Sequence, residues 1–122
     1  MRTLNLDAGW TCTYVGLDTE PVAQLDAWRF SQACDDGCTA SLNRQFVLYP
    51  TDECVSYLLQ IDSAPEGTQL SVNGHRLGAV MAPCTLDVTA FVSLEDNDMT
   101  FQVGPGAQGT FAGIRLQAIA CE

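Results

Sequence analysis

The chain has 122 residues, 47% of them apolar, with fifteen acidic side chains, five arginines and no lysine, for a net charge of −10. That length suffices for one hydrophobic core and suggests a single domain, 1–122. The charge argues against nucleic-acid binding, which needs clustered cations to displace counterions from phosphates, and against anionic membrane surfaces.

The opening residues Met1 to Asp7 carry no apolar stretch after Arg2, so they do not read as a secretory signal. No run approaches the ~18 apolar residues of a membrane helix. The expectation is a cytoplasmic protein. Trp10 to Val15 alternates strictly and reads as a strand with Trp10, Cys12 and Tyr14 facing the core; Leu4 and Leu6 extend it across a bend at 7–9. Residues 16–40 are irregular and contain Pro21, Trp28 and an Asp35-Asp36-Gly37 turn. They read as a long loop packed by its own side chains, with a short helix near 23–28 as the alternative.

Arg44 to Tyr49 is the next strand, with Phe46 and Leu48 on one face. It is followed by Cys54 to Ile61, which places Val55, Tyr57, Leu59 and Ile61 on one side. After a turn at 64–67, Leu70 and Val72 alternate with Gln69, Ser71 and Asn73. Asn73-Gly74 is then a strong signal for a two-residue hairpin whose central residues both need positive φ. His75 to Leu77 begins the return strand, and Gly78 ends it. Pro83, lacking an N–H, belongs at an edge or a strand start. Leu86 and Val88 lead into a helical turn capped by Thr89. Glu95-Asp96-Asn97 reads as a polar loop, Asp98 to Val103 as a strand with Met99, Phe101 and Val103 inward, residues 104–109 as a flexible loop, and Thr110 to Cys121 as the closing strand. About eight short strands at close spacing, without a long helix, define an all-β antiparallel sandwich or jelly roll.

The residues that carry chemistry are sparse. His75 is the only histidine, directly after the hairpin glycine, and one exposed imidazole supplies no base with an orienting partner. It reads as a solvated turn residue. The carboxylates at Asp35-Asp36, Asp52-Glu53 and Asp96/Asp98 sit where Asp favours turn hydrogen bonds; a calcium site built from loop oxygens is the sharper alternative. Six cysteines, at 12, 34, 38, 54, 84 and 121, allow 15 disulfide connectivities. In a reducing cytosol the default is free, buried thiols. Cys34-x-x-x-Cys38 matches half a zinc site but has no second close pair. Cys12 and Cys121 fall on the first and last strands, where a packing contact is favoured over a bridge.

Val72-Asn73-Gly74-His75-Arg76-Leu77-Gly78 resembles the hairpin of the amino-terminal sugar-binding domain of family 2 glycoside hydrolases (β-galactosidases, β-glucuronidases, β-mannosidases). Further blocks are similar in the same order. These are Leu6-Asp7-Ala8-Gly9-Trp10, Asn43 to Leu48, Leu86-Asp87-Val88-Thr89-Ala90-Phe91-Val92, Asp96 to Val103, and Ala112-Gly113-Ile114-Arg115-Leu116. The last block departs from the family by lacking a tryptophan after Ile114. The resemblance implies a galactose-binding-like jelly roll. It does not imply glycosidase activity, because the family's acid/base pair lies in a catalytic barrel beyond this stretch.

The implied function is a non-catalytic module binding a carbohydrate or similar small polar ligand. Sugar recognition pairs an aromatic platform with convergent polar groups, which singles out Trp28, Tyr49 and Arg76. Trp28 also reads as a loop anchor packed on the sandwich. The alternative is a structural or protein-interaction domain that keeps the fold without the sugar site, as a homo-oligomer or a partner of a glycoside hydrolase. No catalytic residue, cofactor or metal ligand is assigned, apart from the calcium that jelly-roll sugar binders sometimes hold as a structural ion.

Overall fold

Asn73 and Gly74 both adopt positive φ, 51° and 81°, so the hairpin forms as its two central residues demand. The computed structural model that shows this describes residues 2–14, 19–29, 39–49, 53–104 and 107–121. Among them ten strands follow in order: β1 (Arg2–Asn5), β2 (Ala8–Tyr14), β3 (Glu20–Gln24), β4 (Ala40–Leu48), β5 (Val55–Ser63), β6 (Gln69–Val72), β7 (His75–Ala79), β8 (Cys84–Asp87), β9 (Glu95–Val103) and β10 (Ala112–Ala120). The described helical content is one 3-10 turn at Leu25–Ala27.

The strands form two antiparallel sheets, a four-stranded one in the order β1-β10-β5-β8 and a six-stranded one in the order β3-β2-β4-β9-β6-β7. The period-2 pattern decides which side chains fill the space between them. From the larger sheet come Trp10, Cys12 and Tyr14, then Leu42 and Phe46, Leu70 and Val72, and Met99, Phe101 and Val103. From the smaller come Tyr57, Leu59, Ile61, Ile114 and Leu116. Each fully buried Leu, Ile, Phe or Met contributes about 1.5–3 kcal/mol of transfer free energy. Trp10 stacks on Phe101 at a centroid distance of 5.2 Å and Phe101 packs tilted on Phe111 at 5.0 Å, and the Trp10 indole N–H donates to the Leu6 carbonyl, as a buried tryptophan requires.

The all-β sandwich matches the sequence reading, but several elements differ. Leu4 and Leu6 do not extend the Trp10 strand. The chain changes sheet there, β1 pairing with β10, and the Asp7 carboxylate holds the crossing by accepting the Ile114 N–H at 2.9 Å. Residues 20–24 form a strand rather than loop; Pro21 is tolerated because β3 is an edge. Glu95 to Asn97 is the start of β9 rather than a loop. Asn97 is only 3% exposed. Its Oδ1 accepts from Asn73 Nδ2 and the Ser93 N–H, and its Nδ2 donates to the Ser93 and Glu95 carbonyls. Asn97 continues the inward row of Met99, Phe101 and Val103, and a polar side chain can hold such a core position when its every group is satisfied. The turn after Val88 is held by Asp87 rather than capped by Thr89. The Asp87 carboxylate accepts the Thr89 hydroxyl and N–H at 2.6 and 3.0 Å, which lowers its pKa below the usual carboxylate range.

The expectation of free thiols fails at two positions. Cys54 and Cys121 form a disulfide, with Cα atoms 5.3 Å apart, where the end of β10 meets the start of β5. The Cys121 N–H also donates to the Cys54 carbonyl at 2.9 Å. In place of the packing contact expected with Cys12, Cys121 is exposed beyond the end of β10 and bonded to Cys54, while Cys12 is a free thiol on the buried face of β2. Cys12 is a buried free thiol and Cys84 a half-buried one. Cys34, Cys38 and the Asp35-Asp36 pair lie outside the described residues.

Candidate functional site

The three residues singled out from sequence fall in different places. Trp28 follows the 3-10 turn beyond β3, half-buried, its ring 6.0 Å from Phe111; this is the packed loop anchor. Arg76 is exposed on β7. Those strands are the opposite edges of the six-stranded sheet. Five inter-strand spacings separate them, on the order of 24 Å, too far for one small ligand to touch both. Tyr49 is 75% exposed immediately after β4.

Among the described residues, surface grooves mark where a ligand could sit. One, of about 420 Å³, runs past Cys12, Glu20 and Trp28. Its cation, Arg29, is occupied by the Asp26 and Trp28 carbonyls, and burial raises the Cys12 pKa so that the thiol stays neutral. A second, of about 410 Å³, is lined by Asn73, Asp96, Asn97 and Asp98. Its amides are spent on one another and on Phe91, and Asp98 accepts from Asn43. Neither sets an unengaged cation beside an apolar floor.

The third groove does. It holds about 220 Å³ beside Tyr49. Its floor follows from strand register. Leu4, half-buried, pairs with the buried Leu116 and Leu116 with the buried Leu59, an apolar row across β1, β10 and β5. Two residues further along, Arg2 pairs with Ala118 and Ala118 with Tyr57. Side chains in one cross-strand row share a face, so Arg2, Ala118 and Tyr57 lie on the core-facing side of the sheet, where the sandwich opens. Tyr57 is only 6% exposed, yet its hydroxyl has no hydrogen-bond partner among the described residues. No fully buried side-chain polar atom among the described residues is left unsatisfied, so that hydroxyl reaches solvent. Arg2 also has no hydrogen bond or ion pair among the described residues. Arg29 and Arg44 donate to carbonyls, and Arg115 pairs with Asp62 at 3.2 Å.

Tyr49 was legible in the sequence because it leaves the core face of its strand. Tyr57 was missed because its period places it in the core; the only hint was that a phenol there needs a partner or an opening. Arg2 carried no signal, because its neighbours Ala118 and Tyr57 are distant in sequence. The grouping can bind by ring stacking and hydrogen bonding. For catalysis it offers no nucleophile beside a base. Among the described residues no three His, Cys, Asp or Glu side chains converge on one point, and His75 packs on Phe91 at 5.5 Å. No described helix is long and apolar enough to cross a membrane.

No protein-family model and no curated protein matches the chain. Among solved structures it is similar to an FMN-binding beta-glucuronidase from Facaelibacterium prausnitzii L2-6, with a TM-score of 0.74 and 17% identity. The match covers 97% of this chain and 22% of that one. The two-sheet sandwich is therefore shared with about a fifth of a glycoside hydrolase.

Proposed function

We propose that this chain is a non-catalytic, galactose-binding-like module whose carbohydrate or similar small polar ligand stacks on Tyr49. The observation that carries this reading is the exposed Tyr49 ring beside an apolar groove into which the Tyr57 hydroxyl opens, without a partner among the described residues. Aromatic platforms with few, fixed polar groups suit pyranose rings, whose faces are apolar and whose edges are hydroxyls. The likeness to part of a beta-glucuronidase supports a carbohydrate-related role. Titration with monosaccharides, followed by chemical shifts or calorimetry and repeated with and without calcium, tests it. Millimolar binding lost in Tyr49→Ala supports the reading; no response to any sugar refutes it.

A second reading, as an interaction domain beside a glycoside hydrolase or in a homo-oligomer, rests on a separate observation. Val47, Tyr49 and Leu94, 52%, 75% and 44% exposed, cluster at one end of the β4–β9 ladder. Exposed apolar patches mark partner surfaces. A solution dimer that protects Tyr49 would favour it. The Cys54–Cys121 bond fits an oxidising compartment better than the cytosol expected from sequence.

A further inference from the structure

Resting on the sugar-binding reading of the Tyr49 groove, we infer that its ligand is an acidic sugar, a saccharide bearing a carboxylate, and that Arg2 is the residue that selects it. The groove's lining is otherwise apolar or hydroxylic: Thr3, Leu4, Leu48, Tyr57, Leu116 and Ala118. The guanidinium has no carboxylate among the groove's lining residues and forms no ion pair among the described residues. It nevertheless occupies an inward-facing register position in the Arg2–Ala118–Tyr57 row. Two strand spacings, about 10 Å, separate the backbones of Arg2 and Tyr57. A single sugar ring between them offers a hydroxyl to the phenol and an exocyclic carboxylate to the fork, which takes it bidentately.

The size of the site agrees. About 220 Å³ is below the roughly 300–1,000 Å³ of drug-sized pockets, so one ring fits and a chain would extend outside. The protein's net charge of −10 repels anions at long range. An acid is therefore bound here only through a local cation, and Arg2 is the cation that lines this groove and has no partner among the described residues.

The test is a matched-pair titration of the full chain, glucuronate against glucose and galacturonate against galactose, by chemical-shift perturbation. The acid of at least one pair is expected to bind tenfold or more tightly than its neutral partner. Arg2→Gln, at an exposed position, should bring the two within about twofold, because the charge-assisted bond is lost while stacking on Tyr49 remains. Equal binding of acid and neutral sugar, with both lost in Tyr49→Ala, would overturn the acid preference and leave the sugar-binding reading intact. An acid preference that survives Arg2→Gln would overturn the role of Arg2. No binding of any of the four sugars would overturn both readings. In either failure of the acid reading, Arg2 keeps only the part of an inward-pointing charge that protects the β1 edge from pairing.

Discussion

Removing the Cys54–Cys121 cross-link should cost this protein much of its thermal stability. The bond joins residues 67 apart in sequence. In the chain-entropy treatment, closing a loop of that length removes about 14 or 15 cal/mol/K from the unfolded ensemble, about 4 kcal/mol at 25 °C. An unfolding entropy of about 2.1 cal/mol/K per residue gives roughly 0.26 kcal/mol/K for the whole chain. The two together predict a fall in Tm of about 15 °C. Both cysteines are exposed, so Cys54→Ser/Cys121→Ser leaves no cavity and reports on the cross-link alone. The assay is thermal unfolding of the parent and the double variant, beside a peptide map under non-reducing conditions. If the peptides containing Cys54 and Cys121 separate without reductant, or if the double variant melts within about 3 °C of the parent, the reasoning fails.

Gly113→Ala should destabilise by about 1–3 kcal/mol, read from denaturant unfolding. At φ +62° an added Cβ would lie 2.1 Å from Asp62 Oδ2 and 2.8 Å from Asp62 Cβ, so Asp62 must leave Arg115 and a neutral result would contradict this packing. At Asn73, replacement by Gly keeps the positive φ but loses the bonds to the Phe91 carbonyl, Asn97 Oδ1 and the Asp98 N–H. A cost of about 2–3 kcal/mol is expected, and Asn73→Ala should add about 1 kcal/mol for the left-handed backbone; urea melts showing Ala as stable as Gly would reject the assignment. Burial raises the Cys12 pKa, so in the unfolded chain this thiol ionises first. Stability should be unaffected by Cys12 at neutral pH and should fall as pH rises above about 8.5, the ordinary thiol pKa, towards the raised folded value. Comparing parent and Cys12→Ala melts from pH 7 to 10 checks the sign, and a parent that gains on the variant with rising pH would refute it.

What could be read from the residues was local and periodic. The alternation of Trp10, Cys12 and Tyr14, of Tyr57, Leu59 and Ile61, and of Met99, Phe101 and Val103 placed each on the core face, as the structure does. Asn73-Gly74 located its hairpin because only a few residue types accept that backbone. The elements that escaped were those in which a long-range partner overrules the local signal. Glu20 to Gln24 is a strand because β2 offers an edge on which Pro21 is harmless. Asn97 is interior because Asn73, Ser93 and Glu95 saturate it. Cys121 found Cys54, not Cys12, because β10 pairs with β5 and Ala120 lies opposite Val55. The site divides in the same way. Tyr49 leaves its strand's core face, a feature visible in the spacing of a few residues. Arg2 and Tyr57 face the same opening only because β10 runs between their strands, and the pairing of residue 2 with 118 and of 118 with 57 is a property of sheet order that no local sequence pattern encodes.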